Sequence, residues 1–200
     1  MIARLLIALT RFLVGGHARW QGCAPAPRQR IYFANHASHL DTLILWAALP
    51  ADLRRTTHPV AARDYWGAGP IRRFIAVRVL GAVLVDRQGG RGALAPMCQA
   101  LARGHSLILF PEGTRGSDAL PGPFRAGLHH LARACPDAEL VPAYLANLAR
   151  AYPRGAILPA PLHCVVSFGA PLAPQAGEAR ADFLERARGA VCALAAGEGR

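Results

Sequence analysis

A histidine and an aspartate stand five residues apart in Asn35-His36-Ala37-Ser38-His39-Leu40-Asp41, directly after the apolar run Ile31-Tyr32-Phe33-Ala34. If both lay on one continuous helix they would be about 140° out of phase and could not meet. Ser38 offers a way round this. It predicts an N-cap, with Asp41 three residues on in the place of a capping box, so that His36 stays in the preceding loop and Asp41 points back at its ring. A carboxylate in the first turn also suits the helix dipole. An aspartate on one ring nitrogen fixes the tautomer and leaves the other nitrogen free to accept a proton, for example from a hydroxyl substrate. The competing reading is a turn filled by His36 and a helix capped by Asp41, with no chemistry in either.

Two further clusters follow apolar runs. After Ser106–Phe110 comes Pro111-Glu112-Gly113-Thr114-Arg115-Gly116, where Pro111 ends a strand and the glycines allow a close turn. Arg115 presents a planar fork suited to a phosphate. The alternative is a tight turn in which Arg115 pairs with Glu112. After Gly81–Val85, Arg87 is a second candidate phosphate ligand, with Asp86 as its structural partner. The chain has no Walker loop. A serine nucleophile is disfavoured, because Gly104-His105-Ser106-Leu107-Ile108 lacks the second glycine of G-x-S-x-G and opens a strand instead of ending one.

The elements that must position these residues follow from periodicity. Short apolar runs at 31–34, 58–62, 81–85, 106–110, 140–144 and 164–168 predict strands. Helices are expected near 39–49, 67–78, 93–103, 124–134 and 180–195, and a proline-rich surface loop at 152–161. The alternation implies a single α/β domain with a largely parallel sheet flanked by helices. Ligands then gather at the carboxyl ends of the strands, where all three polar clusters fall. Residues 1–22 form an N-terminal amphipathic segment and 23–200 the domain proper. Leu5, Leu6, Leu9, Phe12 and Leu13 recur at helical spacing, with Arg4 and Arg11 placed to meet lipid headgroups. The segment suits a membrane surface, packing on its own domain, or both; it is too short to span a bilayer.

The chain has 200 residues, 52% hydrophobic and 18% charged, and a formal net charge of +11. Disorder is excluded by such a composition. With no lysine, all the basic side chains are arginine. The charge fits an anionic membrane surface or a phosphate ligand. A nucleic-acid partner is not expected, because no basic-aromatic recognition pattern is present. The five scattered cysteines include no C-x-x-C and no zinc-like spacing, so no metal site is expected and reduced thiols facing a cytosol are.

The blocks around these residues resemble those of the glycerolipid acyltransferases, the family of 1-acylglycerol-3-phosphate acyltransferase. Asn35–Asp41 matches its N-H-x-x-x-x-D block, and Gly81–Arg87 resembles the second. Phe110–Gly116 resembles the third and Leu140–Tyr144 the fourth, in the family's order over residues 31–145. The resemblance implies transfer of a fatty acyl chain from an acyl-carrier-protein or coenzyme A thioester to the hydroxyl of a lysophospholipid, most simply 1-acylglycerol-3-phosphate. It implies His36 as general base with Asp41 orienting it, and no acyl-enzyme. Glu112, Gly113, Thr114 and Arg115 would shape the glycerol-phosphate pocket, with Arg115 and Arg87 on the phosphate and Val141 and Pro142 in support. It further implies no metal or bound cofactor, and attachment at the cytoplasmic face of the inner membrane as a peripheral or monotopic protein. Gly116 stands where the family often has serine, Arg125 where it has lysine, and Arg63 in a region commonly rich in lysine. Another lysolipid acceptor, or a lipid-binding module without catalysis, are the alternatives.

Overall fold

A computed structural model describes residues 2–38, 40–66, 69–86, 90–116, 120–147 and 164–197. Their order is α1 (Ile2–Val14), β1 (Gly15–Trp20), β2 (Arg30–Ala34), α2 (Asp41–Ala48), α3 (Ala51–Arg55), β3 (Thr57–Ala62) and α4 (Arg63–Trp66). Then come α5 (Pro70–Arg73), continued by a π-helical stretch (Phe74–Val79), and β4 (Val83–Val85). A 3-10 turn (Gly90–Ala93) leads into α6 (Leu94–Ala102), followed by β5 (Ser106–Leu109), α7 (Gly127–Ala134), β6 (Glu139–Leu145), β7 (Cys164–Phe168) and α8 (Arg180–Ala196). Among the described residues the sheet has seven strands in the order β1-β7-β6-β2-β5-β3-β4. Neighbours are parallel throughout except β6 and β7, so β1 and β7 run against the other five. This is the single α/β domain expected. The expected loop at 152–161 lies outside the described residues, as do Arg87 and the side chains of Arg4 and Leu13.

β2 sits inside the sheet between β5 and β6, and all five of its residues are buried. Helices cover both faces, which is why the run is continuously apolar instead of alternating. Tyr32 and Ala34 face the core beneath α2, whereas Ile31 and Phe33 face the core beneath α6, α7 and α8. Phe33 is in register with Pro142 of β6 and Leu109 of β5. Three strand ends therefore come out together at one edge. α2 stops at Ala48 because Leu49, ahead of Pro50, is forced into extended backbone (ψ 145°).

Within the 1–22 segment drawn on sequence lie a helix and a strand, α1 and β1. Gly15 and Gly16, at φ 76° and 69°, end α1, a conformation glycine adopts freely. The chain then joins the sheet as β1, beside β7. α1 packs Ile7 onto the core beneath α2 while Leu5, Leu9 and Phe12 stay exposed. Arg11 does not reach only outward as expected: its Nη2 donates to Ala47 O at 2.9 Å, satisfying a carbonyl of α2's last turn.

At the other edge of the sheet, His58 of β3 packs edge-on against His105, ring centroids 4.4 Å apart. Gly81 (φ 61°) backs the ring so closely that a Cβ there would come within 2.5 Å of His58 Nδ1. Burial, and then the neighbouring His105, hold the His58 pKa below its ordinary 6.5. The unfolded chain therefore binds a proton here before the folded one does, and stability falls as pH drops below about 6.5. Urea unfolding of His58→Gln between about pH 6.5 and 5 is expected to show a shallower loss, by up to one proton's slope of about 1.4 kcal/mol per pH unit. His129, lowered by burial and by His130, retains its share in the variant. Equal slopes in both proteins would contradict this role for His58.

Candidate active site

β2 delivers the loop that opens at residues 35–38 to the carboxyl edge of the sheet, and buried Asn35 fixes its start. Its Nδ2 donates to Leu145 O at 3.3 Å and its Oδ1 accepts from Leu145 N at 2.8 Å, tying the ends of β2 and β6 together. His36 follows, and its backbone is gripped on both sides by the loop after β5. His36 N donates to Glu112 Oε1 at 2.8 Å, and Gly116 N donates to His36 O at 2.7 Å. The His36 ring stacks on Phe110, with centroids 4.4 Å apart and planes 22° apart.

His36 Nδ1 lies 2.7 Å from Asp41 Oδ2. The same oxygen accepts from Ala37 N at 2.6 Å and Ser38 N at 2.8 Å. Two backbone donors make Oδ2 an acceptor, so Nδ1 carries the shared proton and Nε2 is left with its lone pair. Nε2 has no hydrogen bond among the described residues. The histidine side chain is 22% exposed and the aspartate 1%, so the pair is open on the histidine side alone. Asp41 Oδ1, also buried, has no hydrogen-bond partner among the described residues. Burial and the Asp41 charge push the Cys164 thiol, on β7, up to about 11, so it stays protonated beside the carboxylate.

The helix start differs from the capping box expected. α2 begins at Asp41 itself, Leu40 holds the cap position, and no side chain caps it. A turn closed by Asp41 N to Ser38 O (3.3 Å) brings the Ser38 hydroxyl to Leu40 N (3.2 Å). The other half of the box does form, since the Asp41 carboxylate reaches back to Ser38 N. Asp41 is thus the first helical residue, not the third.

Glu112 is buried, and its two carboxylate oxygens accept from His36 N and from Gly122 N (3.0 Å). Its charge is spent on the geometry of the histidine loop. Its backbone oxygen accepts from Arg125 Nε at 2.9 Å. Gly113 sits at φ 74°, and a Cβ there would lie 2.7 Å from Arg125 Nε, so glycine is required on two counts. Thr114 is exposed and Arg115 half-buried on the same loop. Val141 is buried in the core and Pro142 lies beside it in β6, under the site. Ser106 opens β5 at the opposite end, with its Oγ accepting from Arg30 N at 3.0 Å. Among the described residues no group of three or more His, Cys, Asp or Glu can hold a metal ion.

Asn35, Phe110, Gly122 and Arg125 are parts of the site that sequence reasoning did not assign. Asn35 carried a signal: a polar amide at the end of a wholly apolar strand must find partners there. Arg125 stood out as an arginine in a lysine position. The contacts of Phe110 and Gly122 left no trace in local sequence.

A mostly parallel α/β sheet with an aspartate-held histidine at the carboxyl edge defines the class. The chain belongs to the acyltransferase family: the family model described as Acyltransferase matches residues 20–146. It is similar to the 1-acyl-sn-glycerol-3-phosphate acyltransferase of Limnanthes alba, 28% identical in an alignment 178 positions long that covers 80% of this chain and 59% of the plant protein. The human 1-acyl-sn-glycerol-3-phosphate acyltransferase alpha is 29% identical in an alignment 137 positions long that covers 66% of this chain and 46% of the relative. The chain thus spans about half the length of these curated relatives. In fold it matches the crystal structure of the 1-acyl-sn-glycerophosphate (LPA) acyltransferase PlsC from Thermotoga maritima, with a TM-score of 0.74 and 20% identity. That match covers 100% of this chain and 80% of the other.

Proposed function

We propose that the protein transfers a fatty acyl chain from an acyl-carrier-protein or coenzyme A thioester to the free hydroxyl of 1-acylglycerol-3-phosphate, giving phosphatidic acid. The observation that carries this reading is the open Nε2 of a histidine whose Nδ1 is held 2.7 Å from Asp41. Nε2 takes the proton of the acceptor hydroxyl as its oxygen attacks the thioester carbonyl carbon. The C–S bond breaks, the thiolate departs, and the proton on Nε2 passes to the sulfur. Asp41 orients the ring and stabilises the imidazolium in between. The step is a proton transfer and an acyl transfer with no change of oxidation state, and we assign the proton transfers to His36 with no bound cofactor.

Arg115, joined by Arg87, binds the acceptor phosphate, and Thr114 and Gly113 line the approach. We place the protein at the cytoplasmic face of the inner membrane as a peripheral protein. The exposed Leu5, Leu9 and Phe12 of α1 support attachment, and among the described residues no helix is long and apolar enough to cross a bilayer.

Arg115→Ala tests the pocket. A charge-assisted bond to phosphate is worth about 1.5–3 kcal/mol, so KM for lysophosphatidic acid is expected to rise about 10–100-fold with little change in KM for the thioester. An equal rise for both substrates contradicts the assignment.

A further inference from the structure

The crossover from β3 to β4 contains α5 and its π-helical continuation, closed by the i to i−5 bond from Leu80 N to Ile75 O (3.0 Å). One side of this element is core. Ala76 and Leu80 are buried, and Ile75 packs on the cluster beneath α2 that also takes Ile7 of α1. The other side leaves Ile71 74%, Phe74 48% and Val77 41% exposed. Arg73 and Arg78 are exposed beside them. Water accommodates the arginines but not three large apolar side chains within seven residues. A bilayer interface accommodates both, with the apolar groups between the acyl chains and the guanidinium groups at the lipid phosphates.

The same composition recurs on α1, where Leu5, Leu9 and Phe12 are exposed. The two elements are far apart in sequence yet rest on one core, on the α2 side of the sheet. A net charge of +11 favours an anionic surface. We propose that residues 70–79 are a second membrane anchor, docking with α1 onto an anionic bilayer so that two separated contacts fix the orientation of the sheet's carboxyl edge to the lipid. The proposal rests on the reading of the acceptor as a membrane lipid. An acidic protein would pair with the arginines but would need a matching pocket for three apolar side chains on a convex helix, so the bilayer is the occupant we assign.

The test is co-sedimentation of the full chain with vesicles of phosphatidylcholine alone and of phosphatidylcholine mixed with phosphatidylglycerol. The variant Ile71→Ser/Phe74→Ser/Val77→Ser changes exposed side chains and is expected to fold, checked by its melting temperature. Its partition onto the mixed vesicles should fall at least about tenfold. Arg73→Gln/Arg78→Gln should lose about tenfold on the mixed vesicles and little on phosphatidylcholine. Transfer to detergent-dispersed lysophosphatidic acid should be unchanged in both, which separates this proposal from the catalytic one: an inactive wild type that binds vesicles through the patch overturns only the latter. Wild-type vesicle binding by the triple-serine variant overturns the anchor. So does loss of capture on immobilised acyl-carrier protein with vesicle binding intact, which would make the patch a protein-docking surface.

Discussion

His36→Ala is expected to slow acyl transfer by about 10²–10⁴-fold, the usual worth of a positioned general base, while the melting temperature changes little. Among the described residues the ring makes one side-chain hydrogen bond, to Asp41, and one stacking contact, to Phe110. The loop itself is held by backbone groups that alanine keeps, at Glu112 and Gly116. Activity and stability should therefore separate cleanly. Single-turnover transfer beside thermal unfolding checks this, and activity within a few-fold of wild type would remove His36 from the chemistry.

Asp41→Asn should cost about as much, on the order of 10²–10⁴-fold, with a smaller stability change than Asp41→Ala. An amide oxygen can still accept from Ala37 N and Ser38 N, so the turn survives. It carries no charge to stabilise an imidazolium and no longer dictates the ring tautomer. Alanine also removes the acceptor of both backbone donors, at a cost of about 2–6 kcal/mol for two donors left without a partner. The comparison distinguishes a relay from a cap. If activity in the two variants tracks their unfolding free energies, Asp41 acts through the helix start alone.

The histidine and aspartate were legible because seven residues contain both them and the turn that joins them. So was most of the sheet. The run at 164–168 is β7 residue for residue, and the strands at 31–34 and 140–144 each gain one or two terminal residues. β1 was not legible. Gly-Gly-His-Ala-Arg-Trp is an edge strand with alternating exposure, and it is a strand only because β7, nearly 150 residues later, pairs with it. The helix expected at 67–78 is shorter and partly π-helical, and residues 67–68 lie outside the described part. Glu112 shows the same limit at the site. Its local motif suggests a ligand loop or a pair with Arg115, whereas its carboxylate answers to His36 N, 76 residues away, and to Gly122 N. Contacts between strand ends are set by the order of strands, which no local pattern records.

The central claim is acyl transfer to a lysophospholipid by the His36–Asp41 pair. Its most direct test gives the purified protein long-chain acyl thioesters of coenzyme A and of acyl-carrier protein, with lysophosphatidic acid beside a panel of other lysolipids, and follows the diacyl product by mass spectrometry. Phosphatidic acid is the product expected, formed from at least one donor and lost in His36→Ala. A folded protein that acylates none of the acceptors with either donor would contradict the account.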